Sequence, residues 1–300
     1  KHENIISLYE IYETSTTQWF ILELANSNTL HATLATLTHN NYNEKFISLI
    51  FLDILYSIQY LHSIGIIHRD IKQDNILCSI VSLNNNNEIK IVPKIADFGL
   101  SAIIPKIPQT SKKMKKYKKL KEVWGTKAYF APEIYKKAYG SQIDVWSLGC
   151  VLYELLVGQT PFPTRERNSS VIDKYLFNNG KKIKRIYELR EGWSDLSVSV
   201  QSLLHGMLAV DPTKRYSIEE CIAHPWFSDS GSNSINSING SSTTTTTNTP
   251  TATTASTSPI LNHPKALKHG HAAAVKWAHY KTQHRQRLTI ATTTTALHNR

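Results

Sequence analysis

Apolar residues along this 300-residue chain recur with two different periods. Ile5 to Tyr12 and Gln18 to Leu24 are short runs rich in β-branched and aromatic side chains, separated by the polar stretch Glu13 to Thr17. Such side chains suit a pleated surface, so the two runs predict strands joined by a turn. A short helix is expected near Leu30 to Thr38. From Phe46 to His62 apolar residues return every three or four positions, the spacing of one helix face. Phe46 to Ile67 is the most apolar stretch, yet Asp53, Gln59 and His62 interrupt it. It therefore reads as a core helix, and no transmembrane segment is expected. Gly65 punctuates before Ile66-Ile67-His68. Asn75 to Ser79 and Lys90 to Ala96 predict a small strand pair split by an asparagine loop, Asn84 to Asn87. Gln142 to Val157 is helical in pattern and almost continuously apolar, which predicts a buried central helix. Val198 to Val210 and Ser217 to His224 are further helices.

The pattern stops after Phe227. Ser228 to Ser258 is almost entirely Ser, Asn, Thr and Gly, with too little apolar surface to offset the entropy of ordering. Residues 1–227 thus form one expected domain, 228–262 a disordered linker, and 263–300 a basic tail, helical at best around Ala272 to Trp277. The three cysteines, Cys78, Cys150 and Cys221, are widely spaced and fit neither a disulfide framework nor a zinc pattern. A reducing, intracellular setting is the expectation, cytoplasmic rather than nuclear. The formal net charge of +11 is concentrated in the segment before Trp124 and in the tail. Basic excess alone does not choose among nucleic acid, acidic membrane and acidic protein. With no aromatic platform or recognition helix, nucleic-acid binding is not expected.

The candidate chemistry lies in His68-Arg69-Asp70-Ile71-Lys72-Gln73-Asp74-Asn75, followed by Asp97-Phe98-Gly99. Two carboxylates, an amide and a lysine in this order suit phosphoryl transfer, which needs a base at the acceptor hydroxyl and oxygen ligands for magnesium. Asp70 would be the base, Asn75 and Asp97 would hold Mg²⁺, and Lys72 would sit on the transferring phosphate. A Mg²⁺ site of this kind takes few carboxylates and completes its shell from phosphates and water.

These residues resemble the catalytic loop and metal motif of the eukaryotic protein kinases. Further matches follow at family positions. Gly125-Thr126-Lys127-Ala128-Tyr129-Phe130-Ala131-Pro132-Glu133 is similar to the end of a kinase activation segment, whose glutamate pairs in the family with an arginine; Arg215 occupies that place. Asp144-Val145-Trp146-Ser147-Leu148-Gly149 resembles the central helix whose aspartate holds the catalytic-loop backbone; a plain helix cap is the other reading of Asp144. His224-Pro225-Trp226-Phe227 looks like the family's domain terminus. The resemblance implies an α+β, two-lobed kinase fold with a truncated strand lobe and a complete helical lobe. It implies ATP and Mg²⁺ as cofactors and a protein substrate. Lys72 with Thr126 points to serine or threonine as acceptor. In the family's adenine pocket, Leu22 would be the gatekeeper, Glu23 and Ala25 would offer backbone groups, and Leu77 would form the floor. Leu8, His68 and Phe98 resemble the hydrophobic spine between lobes. The run Gly192 to Ser197 and the ending His224 to Phe227 resemble the calcium/calmodulin-dependent group.

The chain also departs from the family. No glycine-rich loop, no strand lysine and no helix bearing its glutamate partner precede Ile5. Two readings compete: a fragment of an active serine/threonine kinase, or a pseudokinase or scaffold without catalysis. Thr29 stands where many basophilic relatives carry an acid, whereas Asp74 keeps a carboxylate. Lys112, Lys113, Lys115, Lys116, Lys118, Lys119 and Lys121 fill the activation segment, as a solvated, mobile loop or as a docking surface for acidic substrate or an anionic membrane. A third reading is that Thr110 or Ser111, once phosphorylated, pairs with Arg69 and orders the loop, with the lysines competing for the same phosphate. Lys276, Lys281, Arg285 and Arg287 around Trp277 suggest calmodulin as a partner for the tail.

Overall fold

The computed structural model describes residues 1–38, 42–82, 89–104, 120–162 and 186–228. The asparagine loop, Thr110 and Ser111, most of the lysine run, the linker and the basic tail fall outside the described residues.

The first layer is small. β1 (Leu8–Glu13) and β2 (Gln18–Leu22) pair antiparallel, with Tyr12 opposite Trp19. Thr14 to Thr17 form the connection, closed by the Thr14 N–H on the Thr17 carbonyl at 2.8 Å. The predicted first strand begins earlier than β1 because Ile5 and Ile6 pair elsewhere. Ile5 bridges Ile95 in parallel, and the Ile6 N–H donates to the Ile95 carbonyl at 2.9 Å. Trp19, Leu22 and Leu24 are 61, 47 and 86 % exposed, so this hairpin presents apolar side chains to solvent.

The second layer is helical. α1 (Leu30–Thr38) buries Leu30 and Leu34. α2 (Glu44–Ser63) starts at Asn43, whose side chain accepts the Phe46 N–H at 2.9 Å, an N-cap that satisfies one free helix donor. Its length and composition would suffice for a membrane, but Ile47, Ile50, Phe51, Ile54, Leu55, Ile58 and Leu61 form a stripe buried in the core. That is the helix-face spacing read from the sequence. β3 (Ile66–Ile67) pairs antiparallel with β6 (Ala102–Ile103), and β4 (Ile76–Ser82) with β5 (Ile89–Ile95). These two ribbons flank the segment from His68 to Asn75.

α3 (Pro132–Tyr135) opens with proline in its first turn, where the missing N–H costs nothing. α4 (Gln142–Val157) buries twelve of its sixteen residues, so nearly every face is packed. Trp146 stacks on Phe162 with ring centroids 5.2 Å apart. A Cβ at Gly149 would lie 2.9 Å from the Leu208 side chain, so a larger residue there would force that side chain to shift. α5 (Val198–Met207) ends before the predicted Val210: the Gly206 carbonyl, which would accept the Val210 N–H in a continued helix, accepts the Tyr216 N–H at 3.2 Å. α6 (Ile218–Ile222) carries a capping box between Ser217 and Glu220. α7 (Pro225–Ser228) closes the described chain. Its Trp226 is tied to the start of α2 by the indole N–H on Glu44 Oε2 at 3.0 Å. Cys78, Cys150 and Cys221 are buried, and none forms a disulfide.

Candidate active site

The segment from His68 to Asn75 lacks long regular structure, so its shape comes from side chains that hold its backbone. Asp144, in the first turn of α4, supplies the main anchor. Its Oδ2 accepts the His68 N–H and its Oδ1 the Arg69 N–H, both at 2.9 Å. His62, at the end of α2, adds a 2.8 Å contact from Nε2 to Oδ2. Asp144 is 1 % exposed. Burial alone would raise its pKa, but His62, His68 and the Arg69 amide outweigh that and hold it below the usual carboxylate value. Both oxygens therefore serve the loop across the fold.

Arg69 then adopts φ 71°, a left-handed backbone rare for a side chain of this size. This turn aims Asp70 back toward the activation segment. Asp70 Oδ1 accepts the Thr126 N–H at 2.8 Å. Its Oδ2 lies 3.2 Å from Lys72 Nζ and 3.1 Å from Asn75 Nδ2. Burial pushes the Asp70 pKa up, while Thr126 and Lys72 pull it down further, so the group stays ionised. Lys72 Nζ also donates to Thr126 Oγ1 at 3.0 Å. The two residues that suggested hydroxyl-bearing acceptors in the sequence are thus in direct contact. Gly125 makes this approach possible: at φ 114°, any Cβ there would lie 2.6 Å from the Arg69 carbonyl.

Asn75 gives both its amide hydrogens to Asp70, with Nδ2 2.9 Å from the backbone carbonyl and 3.1 Å from Oδ2. Its side-chain oxygen is left as the available donor to a cation. The Asn75 carbonyl accepts the Ala96 N–H at 2.9 Å, which brings the end of β5 alongside. Asp97 follows in left-handed conformation, φ 56°, with Oδ1 accepting the Gly99 N–H at 2.9 Å. Its side chain is exposed while Phe98 is buried against His68, ring centroids 5.1 Å apart. His68 Nε2 meets the Ala96 carbonyl at 3.0 Å. Among the described residues no group of three or more His, Cys, Asp or Glu is poised for a metal. One amide oxygen and one carboxylate are hard oxygen donors, too few to cage a cation alone but suited to magnesium that brings phosphate and water ligands.

Of the residues read as an adenine pocket, Leu22 lies on β2 and Leu77 on β4, with Glu23 and Ala25 in the segment between β2 and α1. Leu22 ends β2, opposite Leu8. The linker after it runs along β4: Ser27 N–H donates to the Cys78 carbonyl at 3.1 Å, Cys78 N–H to Asn28 at 2.9 Å, and Thr29 bridges Leu77. Ser27 to Thr29 thus run beside the strand that carries Leu77. Sequence reasoning missed the Glu23 side chain. Its carboxylate accepts the Ser7 N–H at 3.0 Å and sits 2.7 Å from Lys94 Nζ. Lys94, 8 % exposed on β5, also donates to the Glu3 carbonyl at 2.7 Å. The strand that delivers Asp97 is thereby pinned to the linker.

The activation-segment end is fixed by a buried ion pair. Arg215 Nη1 and Nη2 reach Glu133 Oε1 and Oε2 at 2.5 and 2.9 Å, a two-point contact. Arg215 also covers the Trp146 ring at 5.0 Å.

A small strand layer above a helical layer, meeting at an aspartate base candidate, a lysine and two oxygen donors, defines a protein-kinase architecture. The protein kinase domain family matches residues 1–227, and the chain belongs to that family. Three curated relatives illustrate the likeness. The probable serine/threonine-protein kinase fhkD of Dictyostelium discoideum is 34 % identical over 244 residues, covering 76 % of this chain and 29 % of that protein. A probable myosin light chain kinase of the same organism is 31 % identical, covering 77 % of this chain and 53 % of that protein. Calcium-dependent protein kinase 19 of Arabidopsis thaliana is 31 % identical, covering 77 % and 38 % respectively. The chain thus spans between about a quarter and a half of the relatives it matches.

Proposed function

We propose that this chain is the catalytic portion of a serine/threonine protein kinase, with Asp70 accepting or orienting the proton of a protein hydroxyl. The observation that carries this reading is the Asp70 carboxylate. It is held between the Thr126 amide, Lys72 and Asn75, and kept ionised by the first two. A base at an acceptor hydroxyl needs that fixed, ionised state. Lys72 balances the charge beside it and steadies the transferring group. Asn75 and Asp97 would hold Mg²⁺, which would neutralise charge on the phosphoryl group that ATP donates. Leu22, Glu23, Ala25 and Leu77 receive the adenine. The exposed apolar face of β1 and β2 is where the family's remaining strands would pack. Calmodulin or another acidic protein remains the partner proposed for the basic tail, and the likeness to a calcium-dependent kinase supports asking for it.

The test is transfer from radiolabelled ATP to a protein substrate by the full-length gene product, wild type against Asp70→Asn. A loss of about a hundredfold or more is expected for removing the base, at unchanged circular dichroism. Equal turnover would refute the role of Asp70. No transfer by wild type, together with no magnesium-dependent thermal shift by ATP, would establish the scaffold reading instead.

A further inference from the structure

The acceptor side of the site continues into a shelf that is apolar and basic. Thr126 joins the two: its N–H is fixed on Asp70 Oδ1 at 2.8 Å, and its hydroxyl accepts from Lys72 Nζ at 3.0 Å. Before it stand Val123 and Trp124, 43 and 49 % exposed. After it stands Lys127, also exposed. The backbone that carries Lys127 is held on every side. The Tyr129 N–H donates to the Thr126 carbonyl at 2.9 Å and the Phe130 N–H to the Lys127 carbonyl at 3.3 Å. The Tyr129 hydroxyl donates to Glu154 Oε2 at 2.7 Å, and Phe130 is buried against Tyr135, ring centroids 5.8 Å apart. A cation on so fixed a backbone needs little ordering when a ligand arrives. Glu122 is the one acid between Gly99 and Glu133. It is drawn to Arg69, with Oε2 3.1 Å from Nη1, while Glu133 is committed to Arg215. Lys121 adds a second exposed cation.

A protein segment that places a hydroxyl at Asp70 must run past this shelf. Extended chain advances about 3.3 Å per residue, and Thr126 touches Asp70 directly, so side chains one or two positions from the acceptor come within reach of Lys127. We propose that Lys127 is a specificity residue. It selects protein segments that carry Asp or Glu within two positions of the acceptor serine or threonine, on one side of it. Val123 and Trp124 add apolar contact that does not discriminate charge. Asp74, exposed in the catalytic loop and within electrostatic reach of Tyr129, repels an acid on its own side. Acidic residues on both flanks therefore do not add. An exposed ion pair of this kind amounts to about fivefold in affinity at most, so Lys127 ranks substrates rather than creating their binding. The proposal rests on the kinase reading for its occupant, but its first test reads binding without transfer.

Fluorescence anisotropy with the full-length gene product measures the ranking on short labelled peptides whose acceptor is replaced by alanine. Asp, Ala or Lys is placed in turn at each of the two positions on either side of the acceptor. Wild type should bind an Asp peptide of one flank about fivefold more tightly than its Ala counterpart, and the Lys peptide more weakly still. Lys127→Ala should remove the preference, Lys127→Glu should reverse it and Lys127→Arg should keep it. Salt near 0.5 M should flatten the ranking, as expected for exposed charges. Trp124→Ala should weaken all peptides alike. Where transfer from ATP is followed, the same ranking should appear in KM rather than in kcat. Lys127→Ala serves if the charge reversal folds poorly. The proposal is overturned if wild type binds Asp and Ala peptides equally at every position, if no peptide binds, or if Lys127→Glu ranks them as wild type does. Selective binding by a protein that transfers no phosphate would count against the kinase reading alone. Transfer without selectivity would count against Lys127 alone.

Discussion

Removing the Asp144 carboxylate tests whether the catalytic loop is shaped by one buried side chain. In wild type, Asp144 accepts the His68 and Arg69 amides at 2.9 Å each and contacts His62 at 2.8 Å, all at 1 % exposure. Asp144→Ala leaves two buried backbone donors without acceptors. Each costs about 1–3 kcal/mol, so the loss should be about 2–6 kcal/mol before any cavity is counted. Asp144→Asn keeps one acceptor oxygen and turns an N–H₂ toward the other donor, so it should cost about 1–3 kcal/mol. A plain helix cap would lose only about 1 kcal/mol on changing to alanine. Urea unfolding followed by circular dichroism measures the difference as a shift in midpoint at constant slope. Exchange at His68 and Arg69 should rise in both variants, alanine more than asparagine. A loss near 1 kcal/mol for alanine, with unchanged exchange at those amides, would refute the anchoring argument and return Asp144 to the role of a cap.

Two other perturbations follow from the same geometry. Glu133→Ala strips the two-point partner from Arg215, whose guanidinium is fully enclosed. A buried charge left unpaired costs about 3–5 kcal/mol, although the carbonyls of Ala209 and Gln142 retain part of its hydrogen bonding; thermal melting should show the drop, and Glu133→Ala with Arg215→Leu together should recover part of it. Asp70 and Asp144 both have folded pKa values below the ordinary carboxylate value. Their contribution is therefore complete above about pH 4, the unfolded value, and is lost as pH falls through the folded ones. Melting temperature should hold from neutrality to about pH 5 and then fall, with a shallower acid limb in Asp144→Asn.

The elements that were legible in the sequence are those whose signal is local. α1 and α4 run over the stretches expected to be helical, Leu30 to Thr38 and Gln142 to Val157. The loop from His68 to Asn75 was legible because the chemistry sits within eight residues. Boundaries failed where a distant partner intervened. β4 reaches Ser82 because β5 pairs with it throughout, and Asn75 is drawn into a short turn before it by its carbonyl, amide and side-chain bonds. The missed site residues share one cause. Lys94 meets Glu23, His62 meets Asp144, and Arg69 meets Glu122, each across a large stretch of chain. No period or spacing encodes such pairs. What the sequence does show is their cost: a lysine between Pro93 and Ile95 in an apolar strand, a histidine closing an apolar helix, one acid among lysines. A charge buried without a partner is expensive enough that its presence in an apolar run implies the partner, if not its number. Charged interruptions of an apolar pattern are therefore best read as half of a contact. Lys94, His62 and Glu122 each lead to the catalytic loop or to the linker that faces it.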